Sequence, residues 1–179
     1  GCGAAMIKNP QLAREIIRAA KKGFGGPVSV KTRLGYNADQ LEEWLPELLV
    51  EDPAAIAIHA RTRKEMSLVP ARWERIKRAV EIRDSYQGRS LVARTLILGN
   101  GDVKGIEDAK EKVAATGADG AMLGRAIFGN PWLFYQGRSL VSSTEKIQTL
   151  AEHIQLFDEL MGDVQNFAVM KKHFKSYIL

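Results

Sequence analysis

Four short apolar runs in this chain each end on residues able to bind an anion. Val28-Ser29-Val30 leads into Lys31-Thr32-Arg33 and Gly35. Ala55-Ile56-Ala57-Ile58 leads into His59-Ala60-Arg61-Thr62-Arg63. Leu96-Ile97-Leu98 leads into Gly99-Asn100-Gly101-Asp102, and Gly120-Ala121-Met122-Leu123 into Gly124-Arg125. Three of these ends are basic, and ammonium and guanidinium groups form the strongest hydrogen bonds to phosphate and carboxylate oxygens. Glycines ahead of a helix let backbone N–H groups approach phosphate closely. If the runs are parallel strands, all four clusters fall at the sheet edge where such folds bind ligands. From spacing alone, Lys31 and Arg33 read equally well as solvated strand-end charges; a lone His59 is more often a structural histidine, and Asn100-Gly101-Asp102 could be simply a tight type I′ turn.

The elements between the clusters support the parallel reading. Asn9 is a good N-cap and Pro10 suits the first helical position; Leu12, Ile16, Ile17 and Ala20 follow at helical spacing, and Gly23, Gly25 and Gly26 stop the helix. A strand is expected over Pro27–Lys31, then a helix over about Asp39–Val50 in which Pro46 predicts a kink or an early end. Trp73, Ile76, Ala79 and Val80 mark a third helix, and Ile106–Ala115 a fourth, closed by Gly117. Near-continuous apolar strands alternating with helices indicate α/β architecture with a parallel sheet. The alternation ends after Asn130-Pro131-Trp132. Ser142-Ser143-Thr144-Glu145 reads as a capping box before a helix carrying Ile147, Leu150, Ile154, Leu156 and Leu160, and a further helix is expected over 166–179. This gives four βα units over residues 1–137 and an all-helical segment over 138–179.

Composition narrows the class. With 45% hydrophobic and 26% charged residues in 179, the chain is of globular type and not disordered. No run approaches the ~18 apolar residues of a membrane span. The single cysteine, Cys2, excludes a disulfide framework and a multi-cysteine metal site, so a reducing, cytoplasmic setting is expected. The formal charge of +5 is compatible with a polyanionic partner. Met122 and Met170 are expected to fill the core, and Trp73 and Trp132 to anchor helices. Lys171, Lys172, His173 and Lys175 serve a solvated face or an RNA contact equally well. A start on Gly1 predicts a piece of a longer protein.

Taken in order, Gly3-Ala4-Ala5-Met6 before Asn9-Pro10, Val30-Lys31-Thr32-Arg33-Leu34-Gly35, Ile58-His59-Ala60-Arg61-Thr62-Arg63, Gly99-Asn100-Gly101-Asp102, Thr116-Gly117-Ala118-Asp119-Gly120, Gly124-Arg125-Ala126 and Gly129-Asn130-Pro131-Trp132 resemble the flavin-dependent tRNA-dihydrouridine synthases. The resemblance extends to about residue 135, and Met170-Lys171-Lys172-His173 is similar to the family's C-terminal helical domain.

The resemblance implies an FMN- and NADPH-dependent oxidoreductase that reduces the 5,6 double bond of uridines in tRNA. It implies the C-terminal half, four βα units, of a TIM (β/α)8 barrel, followed by the start of a helical tRNA-binding domain. Lys31 and His59 match flavin-contacting positions. Asn100, Gly101, Asp102, Gly124 and Arg125 match the segments that hold the FMN phosphate and ribityl chain, with Arg33, Arg61 and Arg63 nearby. The family's catalytic cysteine falls upstream of Gly1 and Cys2 does not match it, so no catalytic residue is assigned and the chain alone is expected to be inactive. Val28, Val30, Ile56, Ile58 and Ile97 are expected to line the barrel interior, and the open sheet edges to promote self-association. The alternative reading is a non-catalytic basic half-barrel that binds RNA or dimerises.

Overall fold

The computed structural model describes residues 3–87, 94–135 and 141–178. Cys2 and the boundary expected near residue 138 lie outside them. Two compact units are present, Gly1–Gly124 and Arg125–Leu179.

The first unit opens with a 3-10 helix, Gly3–Lys8, and continues α1 (Pro10–Phe24), β1 (Ser29–Arg33), α2 (Leu41–Leu49), β2 (Ala55–His59), α3 (Trp73–Gln87), β3 (Leu96–Asn100), α4 (Ile106–Thr116) and β4 (Gly120–Met122). The strands form one parallel sheet in chain order, β1-β2-β3-β4. Local chemistry sets the helix ends as expected. The Asn9 side chain accepts from the Leu12 N–H at 3.2 Å, and Gly25 closes α1 in the left-handed conformation. Strand β1 lies two residues later than the sequence suggests. Helix α2 runs through Pro46 and stops at Leu49, because Leu41, Trp44, Leu45, Leu48 and Leu49 are all buried and tertiary packing outweighs the lost hydrogen bond.

Register decides which side chains reach which face. Lys31, Ala57, Leu98 and Gly120 align across the sheet, as do Arg33, His59, Asn100 and Met122. Side chains alternate along a strand, so these two rows share one face. The intervening residues Ile56, Ile58 and Ile97 have no exposed surface and pack with Leu45, Leu48, Ile76 and Ala79 in the helix-covered core. The expectation that Val30, Ile56, Ile58 and Ile97 face the interior of a barrel is therefore overturned: hydrophobicity marked the helix-facing parity, and the opposite face carries the polar and small residues. Met122 shares that face and is 38% exposed, so it does not fill the core, whereas Met170 is 1% exposed and does.

At the N-terminal end of the strands the fully buried Arg83 pairs with Asp119, whose carboxylate also accepts the Ile97 N–H at 2.8 Å and Arg94 Nη2 at 2.9 Å. This clasp ties α3 to the entrances of β3 and β4.

The second unit holds α5 (Ser143–Met161), a 3-10 turn at Phe167–Met170 and α6 (Lys171–Ile178). The capping box is present, with Ser142 Oγ accepting from the Glu145 N–H at 3.2 Å. Among the described residues, Leu150, Met170 and Tyr177 are its buried apolar side chains. Among the described residues, no helix is long and apolar enough to cross a membrane.

Candidate functional site

The site is assembled from the ends of β1, β2 and β3 and the loop 60–72 that follows β2. Lys31 lies one residue pair below the strand ends, and Arg33, His59 and Asn100 form the last row. Asn100 closes β3 rather than beginning the loop, and its Nδ2 donates to the Met122 carbonyl at 2.8 Å, fixing β3 against β4.

Trp73 shapes the turn after β3. Its ring occupies the space a side chain at Gly99 would need, with a Cβ there falling 2.3 Å from the indole. Its Nε1 donates to the Gly101 carbonyl at 2.8 Å. Gly101 has φ +122°, a conformation suited to glycine, and a Cβ would lie 3.0 Å from His59 Cδ2. Asp102 also has positive φ, at +50°. Its carboxylate accepts from Arg61 Nη2 at 2.5 Å and from the Ala71 N–H at 2.9 Å.

Loop 60–72 is cross-braced. Arg61 is only 3% exposed, and its Nε donates to the Val69 carbonyl at 2.5 Å. Glu65 accepts from Arg72 at 2.6 and 3.0 Å and from the Thr62 N–H at 2.7 Å; Arg72 foremost, then the Thr62 N–H, overcome burial and hold the carboxyl down at about 2. Arg33 Nη1 donates to the Thr62 carbonyl at 3.0 Å.

Around Lys31 and Arg33 the electrostatics are one-sided. Burial, reinforced by Arg33, lowers Lys31 to about 8; the residue keeps exposed surface, but protein crowds its ammonium. Burial and the neighbouring Arg61 and Arg63 also lower Arg33. His59 is pushed down to about 4 by burial and then by Arg33, Lys31 and Arg61, with Asp102 opposing. The imidazole is therefore neutral at physiological pH. Among the described residues, neither Lys31 nor Arg33 has a carboxylate partner. Two cations close together, neither with a carboxylate partner of its own among the described residues, make a place where an anion is favoured.

The structure thus brings Lys31, His59, Asn100, Gly101 and Asp102 to one edge, with Arg33 and Arg61. Gly124 follows β4 by two residues, and a Cβ there would meet no heavy atom within 4 Å. Arg125 opens the second unit in a 3-10 turn, Arg125–Ile127. Arg61, expected near the cofactor segments, directs its guanidinium to Asp102, Val69 and His59. Sequence reasoning missed Tyr36, whose ring lies 3.7 Å from Lys8 Nζ and 5.4 Å from the Arg63 guanidinium, and the pairing of Glu65 with Arg72. The Glu65-to-Arg72 spacing crosses a loop, where no helical or strand period signals a contact. No cluster of three or more metal-ligating His, Cys, Asp or Glu side chains occurs among the described residues.

Parallel βα units with polar groups gathered at the strand C-termini define an α/β protein of the kind that binds its ligand at that edge. The family described as dihydrouridine synthase (Dus) matches residues 1–178, and the chain belongs to that family. It is 39% identical over 180 residues to a probable tRNA-dihydrouridine synthase of Staphylococcus aureus (strain Mu50 / ATCC 700699), covering 99% of this chain and 53% of the relative. A probable tRNA-dihydrouridine synthase of Staphylococcus epidermidis (strain ATCC 12228 / FDA PCI 1200) is 40% identical with the same coverage. Probable tRNA-dihydrouridine synthase 2 of Bacillus subtilis (strain 168) is 39% identical, with 54% of that protein covered. The chain spans about half the length of the curated relatives it matches.

Proposed function

We propose that this chain is part of a tRNA-dihydrouridine synthase, an oxidoreductase that uses FMN and NADPH to reduce the 5,6 double bond of uridines in tRNA. The carrying observation is the pair of cations, Lys31 and Arg33, on the sheet face opposite the helix-covered core and, among the described residues, without carboxylate partners. A flavin mononucleotide fits that donor set: it brings a dianionic phosphate and a polar ring edge rich in hydrogen-bond acceptors. Lys31 and His59 would face the ring system. Asn100, Gly101, Asp102, Gly124 and Arg125 would form the segments around the phosphate and ribityl chain, with Gly101 giving the backbone close access. When bound, FMN carries reducing equivalents from NADPH to the pyrimidine. The four strands then represent half of a (β/α)8 barrel over residues 1–137, and residues 138–179 begin a helical domain that grips tRNA.

The protein's own groups bind and orient. The ammonium of Lys31 favours negative charge on the ring edge beside it, and neutral His59 offers a hydrogen bond without adding charge. Completing the reduction also requires a proton at the neighbouring pyrimidine carbon, and none of these residues is assigned that role.

Titration of the full chain with FMN tests the reading. Binding with stoichiometry near one, weakened by about 2–3 kcal/mol or one to two decades in Arg125→Ala, is expected from loss of a charged phosphate partner. An affinity unchanged by that substitution would remove Arg125 from the site. Failure of the unsubstituted chain to bind FMN would favour the basic RNA-binding alternative.

A further inference from the structure

We propose that the Asp102–Arg61 pair is a positioning device that locks His59 in its Nδ1–H tautomer, so that the imidazole presents a hydrogen-bond donor to an acceptor atom of the bound ligand. The geometry begins with Arg61 Nη1, which lies 3.2 Å from His59 Nε2. A guanidinium has donors and no acceptor, so Nε2 must supply the lone pair. A neutral imidazole carries one ring proton, which leaves it on Nδ1.

The partner that imposes this is itself immobilised. Arg61 is buried, with Nε on the Val69 carbonyl and Nη2 on Asp102. Asp102 is held in turn by the Ala71 N–H. Gly101 packs against the Cδ2–Nε2 edge of the ring, where an added Cβ would lie 3.0 Å from Cδ2 and 3.3 Å from Nε2. The edge bearing Nδ1 is the other one, and among the described residues no protein group bonds to it. A donor left without a protein acceptor, on the row that also carries Arg33 and Asn100, suits a carbonyl oxygen or ring nitrogen of a ligand. Identifying that acceptor as part of a flavin rests on the function proposed above; the tautomer does not. Arg61 and Asp102 are thereby positioning residues that act through His59.

Nitrogen-15 NMR of the full chain, labelled and free of flavin, tests the tautomer directly through two- and three-bond correlations of the imidazole ring. His59→Gln assigns the signal. At neutral pH the expected pattern is a protonated Nδ1 and an unprotonated Nε2; an Nε2–H form, or an imidazolium, overturns the proposal. Arg61→Met is expected to shift the ring towards Nε2–H, and Arg61→Lys, which retains a cationic donor, to keep more of the Nδ1–H form. Asp102→Asn leaves the guanidinium but loosens its anchor and is expected to show both tautomers; a pure Nδ1–H signal there would remove Asp102 from the device. Adding FMN afterwards separates the two readings. An Nδ1–H form in the flavin-free protein with no response to FMN supports the lock and counts against flavin as its ligand.

Discussion

Asp119→Ala is expected to lower the unfolding free energy of the full chain by about 3–5 kcal/mol, the range for leaving a buried charge, here Arg83, without its partner. Arg83 has no exposed surface and, among the described residues, would keep its charge with only the Asp84 carboxylate opposite it, at 2.8 Å and with a side chain 49% exposed. Its Nη2 lies 2.8 Å from Asp84 Oδ1 but makes no hydrogen bond, so that half-exposed carboxylate replaces little of what Asp119 provides. The Ile97 N–H would lose its acceptor as well. Since whole domains are stable by only about 5–15 kcal/mol, urea unfolding should show a large fall in midpoint. Combining Asp119→Ala with Arg83→Met should recover part of the loss, because the second change removes the stranded charge. A cost below about 1 kcal/mol for the single substitution would show that the clasp does not hold the sheet. The sign with pH follows from the lowered Asp119 carboxyl. Burial pushes it up, but the Ile97 N–H and Arg83 together outweigh burial. Its stabilisation is therefore complete at neutral pH and lost as pH falls through the depressed folded-state value.

Asp119 illustrates what the sequence makes legible. Thr116-Gly117-Ala118-Asp119-Gly120 stands out as a motif, but its chemistry lies at the strand entrance, where ordered residues stabilise the fold rather than bind ligand. The acid is recognisable from its spacing; its buried partner Arg83, 36 residues earlier, is not. The order of strands and helices was readable because apolar runs, caps and glycines each act within a few residues, as at Asn9, Gly25 and Ser142. Facing was less readable. Ile56 and Ile58 are apolar on one parity and Ala57 on the other, and only register and helix packing show that the isoleucines meet α2 and α3.

The same limit applies at the strand ends. The strand-end placement of Lys31, His59 and Asn100 was readable, because residue type and position at the end of an apolar run suffice to put them there. Arg61 was nominated with them, yet the structure spends its guanidinium within the protein. Nothing local distinguishes Arg61 from Arg63, which follows two residues later and is exposed. The difference comes from Asp102, which reaches Arg61 from another strand end through a backbone turn at positive φ.

Lys31→Met in the full chain is expected to weaken FMN by roughly 10- to 150-fold, the loss of about 1.5–3 kcal/mol for a hydrogen bond to a charged group. The pH dependence identifies the cause. Free Lys31 gives up its proton at about 8, so an anion that requires the ammonium takes up a proton on binding above that pH. Affinity should then be flat near pH 7 and fall as pH rises, by up to tenfold per unit, between about pH 8 and 9.5. His59, lowered to about 4, stays neutral throughout and contributes no slope. Lys31→Met should be weak and flat. Lys31→Arg should retain part of the affinity and also be flat, because a guanidinium does not deprotonate in this range. Fluorescence titrations of FMN with the three proteins across this interval make the comparison. A wild-type profile without slope, or a Lys31→Arg profile that falls in parallel with wild type, would move the anion away from Lys31.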